Sequence, residues 1–196
     1  MLSYLALGDS YTIGEQVPYA ENFPNQAVQL LHRKGIAISD PVIIAVTGWT
    51  TDELAAAIRE RNLKETFSIV SLLIGVNNQY RGRSVDNYME EFTALLEQSI
   101  HFANGHTDKV FVLSIPDWGV TPFAEGKDRA TIAKEIDAYN AAAKKITRSH
   151  KCHFIEITES TRINGTDAAY LAEDGLHPSG KEYAIWAQRL ADAVAN

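Results

Sequence analysis

Residues 4–12 read YLALGDSYT, an apolar run that passes directly into a glycine, an acid and a serine. The run Tyr4–Leu7 predicts a short buried strand, and the polar residues that follow Gly8 predict a turn at its carboxyl end. Further apolar runs recur along the chain, with longer amphipathic stretches between them. They are Pro41–Val46, Phe67–Ile74, Lys109–Ile115 and His153–Ile157. Residues 4–12 therefore open a pattern in which strands and helices alternate.

The apolar runs predict different degrees of burial for the strands. The second, third and fourth are nearly continuous in Val, Ile, Leu and Phe, which is typical of strands covered on both faces. The fifth alternates Phe154 and Glu156 with Ile155 and Ile157. We therefore expect the fifth strand at an edge of the sheet.

The stretches between the strands carry apolar residues at helical spacing. The clearest cover residues 85–96, 132–146 and 183–194. Ser84 is placed to cap the first of these, and Thr50 with Glu53 has the spacing of a capping box that opens another helix. Alternating strands and helices imply right-handed crossovers and a mainly parallel sheet with helices on both faces. The sequence therefore predicts a single α/β domain over residues 1–196, a three-layer α/β/α sandwich with a five-stranded sheet.

Composition excludes several classes of function. The chain has 196 residues and a net charge of -7, which argues against a nucleic-acid partner because a phosphate-binding face needs surplus Lys and Arg. Cys152 is the one cysteine, so no intramolecular disulfide forms, and the apolar runs are too short to cross a bilayer. The first residues lack the pattern of a signal peptide, and we expect a cytoplasmic protein, with an exported protein whose leader has been removed as the alternative. Its oligomeric state stays open.

Candidate catalytic residues follow each of the first four predicted strands. One further pair, an aspartate and a histidine, lies in the loop before the final helix. In chain order they are Gly8-Asp9-Ser10, Gly48-Trp49, Gly75-Val76-Asn77, Asp117-Trp118 and the loop Asp174–His177. Ligands of an open parallel sheet bind outside the carboxyl ends of its strands, where such loops converge. We therefore expect these residues to meet on one rim of the sheet.

The residue types on that rim suit acyl transfer. A serine hydroxyl such as Ser10 needs a base, a neutral imidazole such as His177 serves near pH 7, and Asp174 would fix the imidazole tautomer. A tetrahedral intermediate also needs hydrogen-bond donors for its oxyanion, which the backbone N–H groups of Ser10 and Gly48 and the side chain of Asn77 would supply. Glycine at position 48 would let the backbone approach closely.

The chain resembles the SGNH hydrolases, also called the GDSL esterase/lipase family. The matching blocks are Gly8-Asp9-Ser10-Tyr11, Gly48, Gly75-x-Asn77 and Asp174-x-x-His177. The resemblance implies a flavodoxin-like three-layer fold, with Ser10, Gly48, Asn77 and His177 as the signature residues and Asp174 as the third member of a triad. It also implies no metal and no organic cofactor. Tyr11 stands where the family has leucine, and Asn78 replaces the aspartate that usually follows the asparagine of the third block.

Aromatic residues in the same loops are candidates for the wall of an acyl pocket. They are Trp49, Tyr80, Trp118 and Phe123. Arg81 and Arg83, in the loop after Asn77, are read as solvated. Asp9 is expected to order its turn through hydrogen bonds to the backbone.

Each candidate residue also has a purely structural interpretation. Ser10 is a common residue for capping a helix, Gly48 for a turn, and Asn77 for bonding its own loop. Three functions therefore compete. The first is hydrolysis of short- to medium-chain carboxylic esters, with lysophospholipids or thioesters among the substrates. The second is removal of O-acetyl groups from a carbohydrate by the same triad, and the third is a non-catalytic module that only binds a ligand.

Overall fold

A computed structural model describes all 196 residues, which fold around one sheet of five parallel strands. The strands are β1 (Tyr4–Gly8), β2 (Val42–Ala45), β3 (Ile69–Leu73), β4 (Val110–Leu113) and β5 (His153–Ile155). Their order across the sheet is β2-β1-β3-β4-β5, and every pairing is parallel. The predicted α/β fold with a five-stranded parallel sheet is confirmed.

Eight α-helices accompany the sheet. They are α1 (Ser10–Ile13), α2 (Phe23–Arg33), α3 (Thr51–Arg61), α4 (Val76–Tyr80), α5 (Val85–Phe102), α6 (Arg129–Ser149), α7 (Thr158–Asn164) and α8 (Gly180–Ala195). None of them combines the length and the apolar composition that crossing a membrane requires.

The strand order fixes where the chain changes direction. From β1 the chain steps outward to β2, and it then returns past β1 to β3, β4 and β5 in turn. Because such crossovers are right-handed, the step to β2 puts α2 on one face of the sheet, and the later steps put α3, α5 and α6 on the other. Helix α8 packs against α2, and α6 packs against α5. The switch point of the topology therefore lies at the carboxyl end of β1, the position at which open α/β sheets bind ligands.

The burial expected for the strands is correct at β3 and β4 and wrong at β2. All residues of β3 and β4 are buried, whereas Val42 of β2 is 37% exposed. The reason is that β2 is itself an edge strand, a position that an apolar run alone does not reveal. The expectation that β5 forms an edge is confirmed.

The helices α5, α6 and α8 lie where the apolar spacing predicts them, and α3 begins where the capping-box spacing predicts it. Ser84 caps α5 by accepting the Asn87 N–H at 3.2 Å, and Glu53 accepts the Thr50 N–H at 2.8 Å in the first turn of α3. The sequence analysis did not identify α2, although Asn22 at its N-cap and Pro24 in its first turn are start signals.

Asn22 joins the first helix to the second. Its side chain is fully buried, its Oδ1 accepts the backbone N–H of Asn25 at 3.0 Å, and its Nδ2 donates to the carbonyl of Ile13 at 3.1 Å. This one amide thus accepts from a backbone N–H at the start of α2 and donates to a backbone carbonyl at the end of α1. Because α1 carries Ser10, this contact helps to fix the position of that serine relative to α2.

We expect Asn22→Ala to lower the free energy of unfolding by about 2 kcal/mol, because it removes a helix cap and leaves the partly buried carbonyl of Ile13 without its donor. Chemical denaturation measures the change. Ser84→Ala is the matched control, since it removes an exposed cap alone and should cost about 1 kcal/mol or less. Equal losses in the two variants would contradict the bridging role of Asn22.

Candidate active site

The turn after β1 presents Ser10 at the rim of the sheet. Asp9 is the N-cap of α1, and its Oδ1 accepts the Tyr11 N–H at 3.0 Å. The expectation that Asp9 orders this turn is therefore confirmed. Ser10 is the first residue of α1, so its backbone N–H has no acceptor within the helix. Since Asp9 supplies the cap, the hydroxyl of Ser10 is not needed for that purpose.

Gly8 is required because the chain is crowded at the end of β1. A Cβ at this position would lie 2.1 Å from the Thr12 Oγ1 and 2.6 Å from the Leu73 carbonyl oxygen. Any side chain would overlap these atoms, so only glycine lets α1 begin directly at the strand end.

The loop before α8 brings an imidazole and a carboxylate to Ser10. The Nε2 of His177 lies 3.0 Å from the Ser10 Oγ, and its Nδ1 lies 2.5 Å from the Asp174 Oδ2. The other carboxylate oxygen of Asp174 accepts the backbone N–H groups of Leu176 at 3.0 Å and His177 at 2.9 Å. The turn that these bonds close has Gly175 at φ +65°, a left-handed conformation that favours glycine. The three side chains therefore form one hydrogen-bonded chain.

Asp174 keeps its charge at neutral pH. Partial burial raises the pKa of this carboxyl, but the hydrogen bonds from the His177 side chain and from the two backbone N–H groups outweigh burial and lower its pKa below the ordinary value. An ionised Asp174 accepts a hydrogen bond from the Nδ1–H of His177. The proton therefore stays on Nδ1, and the lone pair on Nε2 is directed at the Ser10 hydroxyl. This arrangement suits removal of the serine proton.

Gly48 and Asn77 flank Ser10 because β2 and β3 are the two neighbours of β1. The backbone N–H of Gly48 makes no hydrogen bond within the protein. The Nδ2 of Asn77 donates to the Trp49 carbonyl at 3.0 Å and lies 3.4 Å from the Asp9 Oδ2. The structure thus brings together every residue that the sequence proposed for oxyanion stabilisation.

Glycine at position 48 also has a conformational reason. A Cβ there would find no protein atom nearer than the Arg81 Nη2 at 3.9 Å, so crowding within the protein does not require glycine. Gly48 instead adopts φ +87°, which side-chain-bearing residues rarely tolerate. This conformation turns the chain and leaves the backbone N–H of Gly48 without an acceptor inside the protein.

Arg81 supports the Gly48 turn, a contact that the sequence analysis missed. Its Nη2 donates to the Gly48 carbonyl at 2.7 Å, and its guanidinium lies 3.4 Å from the carboxylate of Glu53. Arg81 is solvated as predicted, with 44% of its side chain exposed, and these contacts are an additional role. No local sequence pattern predicts this contact, because it joins the end of α4 to the loop after β2. Arg83, the other arginine of that loop, pairs with Asp52 at 2.6 Å.

Asn78 compensates for the family aspartate that it replaces. It is fully buried, its Oδ1 accepts the Thr51 N–H at 3.1 Å, and its Nδ2 donates to the Thr51 Oγ1 at 2.7 Å. The Thr51 hydroxyl in turn donates to the carboxylate of Glu91. An amide supplies both the acceptor and the donor that Thr51 needs, so α3 and α4 stay joined beside the site.

A cleft of about 190 Å³ opens in front of Ser10 and His177. Tyr80, Trp118 and Phe123 line it, as the sequence predicted, and their rings form one cluster with centroids 5.3–6.4 Å apart. Trp49 does not line this cleft. Its side chain packs against the hydrophobic core, and its backbone carbonyl is the group that serves Asn77.

Comparison with known proteins matches most of the chain to one family. A model of the GDSL-like lipase/acylhydrolase family matches residues 6–185. A search of curated proteins finds no match.

Solved structures of similar fold cover nearly all of this chain. The acetylxylan esterase Axe2 from Geobacillus stearothermophilus superposes with a TM-score of 0.77 at 19% identity, covering 100% of this chain and 94% of that one. A lipase/acylhydrolase from Enterococcus faecalis gives 0.76 at 20% identity, with 99% and 95% covered. The lipase Lip_vut3 from a goat rumen metagenome gives 0.79 at 18% identity, with 98% and 97% covered. At these identities the likeness establishes the fold.

Asp9 should make the stability of the protein depend on pH. Complete burial raises the pKa of this carboxyl from 3.8 to about 7, although hydrogen bonds from Tyr11 and Asn77 oppose the shift. Between these two values the folded chain holds a proton that the unfolded chain has released, so the free energy of unfolding falls as pH rises. Asp9→Asn removes this titration but keeps an acceptor for the Tyr11 N–H.

We therefore expect the free energy of unfolding of Asp9→Asn, relative to the wild type, to rise by about 2 kcal/mol between pH 5 and pH 7. Urea denaturation of both proteins across this range measures it. Other groups titrate in both proteins and cancel in the difference. A difference that stays constant with pH would show that Asp9 does not titrate in this window.

Proposed function

The chain belongs to the GDSL-like lipase/acylhydrolase family, and we propose that it hydrolyses carboxylic esters with short acyl groups through an acyl-enzyme on Ser10. One observation carries this proposal. The Ser10 Oγ lies 3.0 Å from the Nε2 of an imidazole whose other nitrogen is bound to the Asp174 carboxylate. Nucleophile, base and orienting acid are thus within hydrogen-bond reach of one another, as acyl transfer requires.

The reaction proceeds in two steps in this proposal. The Ser10 oxygen attacks the ester carbonyl carbon while its proton passes to the Nε2 of His177. The tetrahedral intermediate collapses as the bond to the alcohol oxygen breaks, and His177 returns the proton to the departing alcohol. Water then attacks the acyl-enzyme and gives a proton to His177. The bond between the acyl carbon and the Ser10 oxygen breaks, His177 passes that proton to Ser10, and the carboxylic acid leaves.

The oxyanion of each intermediate is held by three groups around Ser10. They are the backbone N–H groups of Ser10 and Gly48 and the Nδ2 of Asn77. The free N–H of Gly48 supports this assignment, since no internal acceptor competes for it. The Nδ2 of Asn77 carries two protons and gives its shorter bond, at 3.0 Å, to the Trp49 carbonyl. Its second proton faces Asp9 at 3.4 Å, a long contact that an oxyanion can replace.

The size of the cleft supports a short acyl group. At about 190 Å³ it is smaller than the roughly 300–1,000 Å³ typical of sites for drug-sized ligands. Its wall is largely aromatic and aliphatic, which suits an acyl chain and not a charged group. The substrate is therefore a small neutral ester.

An O-acetylated carbohydrate is the second candidate substrate. Tyr80 is 51% exposed and Phe123 is 43% exposed, although both rings line the cleft. Exposed aromatic faces at the rim of a site offer apolar surface to the flat side of a sugar ring. The same triad and oxyanion donors would then remove an acetyl group.

The first experiment compares wild type with Ser10→Ala on p-nitrophenyl esters from acetate to palmitate. We expect the wild type to turn over the short esters and the variant to lose this activity, because no other hydroxyl faces His177. A fluorophosphonate that labels only the wild type would identify Ser10 as the nucleophile. Equal hydrolysis by both proteins would overturn the assignment, and an acetyl-only profile would favour the carbohydrate substrate.

Asn77→Ala should lower kcat by about 10²–10³-fold, the usual effect of losing one oxyanion donor, while the protein remains folded. Steady-state kinetics on p-nitrophenyl acetate and a circular dichroism spectrum measure both properties. Gln188→Ala serves as the control, because this amide lies exposed on α8 and bonds only Asp192. An unchanged kcat in Asn77→Ala would remove Asn77 from the mechanism.

A further inference from the structure

A second cavity lies next to the cleft. Its volume is about 20 Å³, and its lining includes Asp117, Thr161 and Pro178. Tyr11, Trp118 and Leu176 line both the cleft and this cavity. These three side chains therefore form the partition between the two spaces.

Two of these three residues contact the proposed catalytic residues directly. Tyr11 directly follows Ser10, and its ring centroid lies 5.1 Å from that of His177. Leu176 donates its backbone N–H to Asp174. Trp118 makes no hydrogen bond to Ser10, His177 or Asp174 and is not their neighbour in the chain, so it can change without breaking the bonds among them.

Trp118 is held firmly in its place. It is 5% exposed, and its indole N–H donates to the Gln79 Oε1 at 2.7 Å. The Nε2 of Gln79 donates in turn to the Glu135 carboxylate at 2.7 Å, and the ring of Tyr80 packs edge-on at 5.3 Å. A buried indole that is hydrogen-bonded at its nitrogen and packed edge-to-face against a second ring keeps one rotamer. Trp118 therefore acts as a rigid wall.

We propose that Trp118 sets the upper limit on acyl chain length by closing the cleft off from the second cavity. The inference rests on the proposed ester hydrolysis and names the residue that decides which acyl groups fit. An acyl chain attached to Ser10 must extend into the space between the cleft walls, and Trp118 ends that space on the side of the second cavity. The second cavity has room for only about one water molecule, so most of the added space comes from the indole itself. Removing the indole joins that space to the cleft and lengthens the site.

The test compares wild type, Trp118→Ala and Trp118→Phe on p-nitrophenyl esters of increasing acyl length. In Trp118→Ala we expect the ratio of kcat/KM for octanoate to that for acetate to rise by about tenfold or more, in line with the value of apolar contacts in enzyme pockets. Trp118→Phe keeps a ring in the partition and should stay near the wild-type ratio. Gln188→Ala changes an exposed amide on α8 that bonds only Asp192, so it should leave the ratio unchanged.

A second series keeps the acyl group as acetate and increases the size of the alcohol. We expect Trp118→Ala to leave this series unchanged. A change confined to the alcohol series would overturn the proposal, because Trp118 would then border the leaving group. Circular dichroism checks the fold, and Trp118→Leu replaces the alanine variant if that protein does not fold.

The two proposals fail in different ways. A wild-type protein that hydrolyses no ester in either series would overturn the proposed function and the role of Trp118 with it. An active wild type whose acyl-length ratio is the same in Trp118→Ala overturns the role of Trp118 alone.

Discussion

The turn from β1 into α1 depends on the absence of a side chain at Gly8, where a Cβ would overlap both the Thr12 hydroxyl and the Leu73 carbonyl. This close approach lets α1 start directly at the strand end, so that Ser10 stands at the switch point of the sheet. The neighbours of β1 are β2 and β3, and the loops that follow them carry Gly48 and Asn77. The strand order therefore sets the two donor residues on either side of the serine, although they lie far apart in the chain.

Hydrogen bonds between these flanking loops hold the donors in place. Arg81 binds the carbonyl of Gly48, Asn77 binds the carbonyl of Trp49, and Asn78 joins α4 to the start of α3. Buried or half-buried polar groups in such a network are costly when left unpaired, so each bond restricts the others. Residues that follow β3 consequently fix the loop after β2, so one hydrogen-bonded network holds both Gly48 and Asn77.

The site contains two carboxylates whose surroundings act in opposite directions. Asp174 accepts three hydrogen bonds, and its pKa is lowered despite partial burial. Asp9 is completely buried, and its pKa is raised to about 7. The charge that orients His177 is thereby kept, while the acid nearest the Asn77 amide loses part of its charge at neutral pH. A weaker charge on Asp9 competes less for Asn77 and repels a developing oxyanion less.

The sequence by itself determined the α/β class, the parallel sheet and the identity of the residues on its rim. Strand periods, the caps at Ser84 and Thr50, and the Gly-Asp-Ser turn are local features, and local chemistry is what a single sequence expresses. The tertiary structure decided the edge position of β2, the contact between Arg81 and Gly48, and the packing of Trp49 against the core and not in the cleft. Each of these depends on which distant segments become neighbours, and no residue pattern within one segment encodes its partner across the sheet.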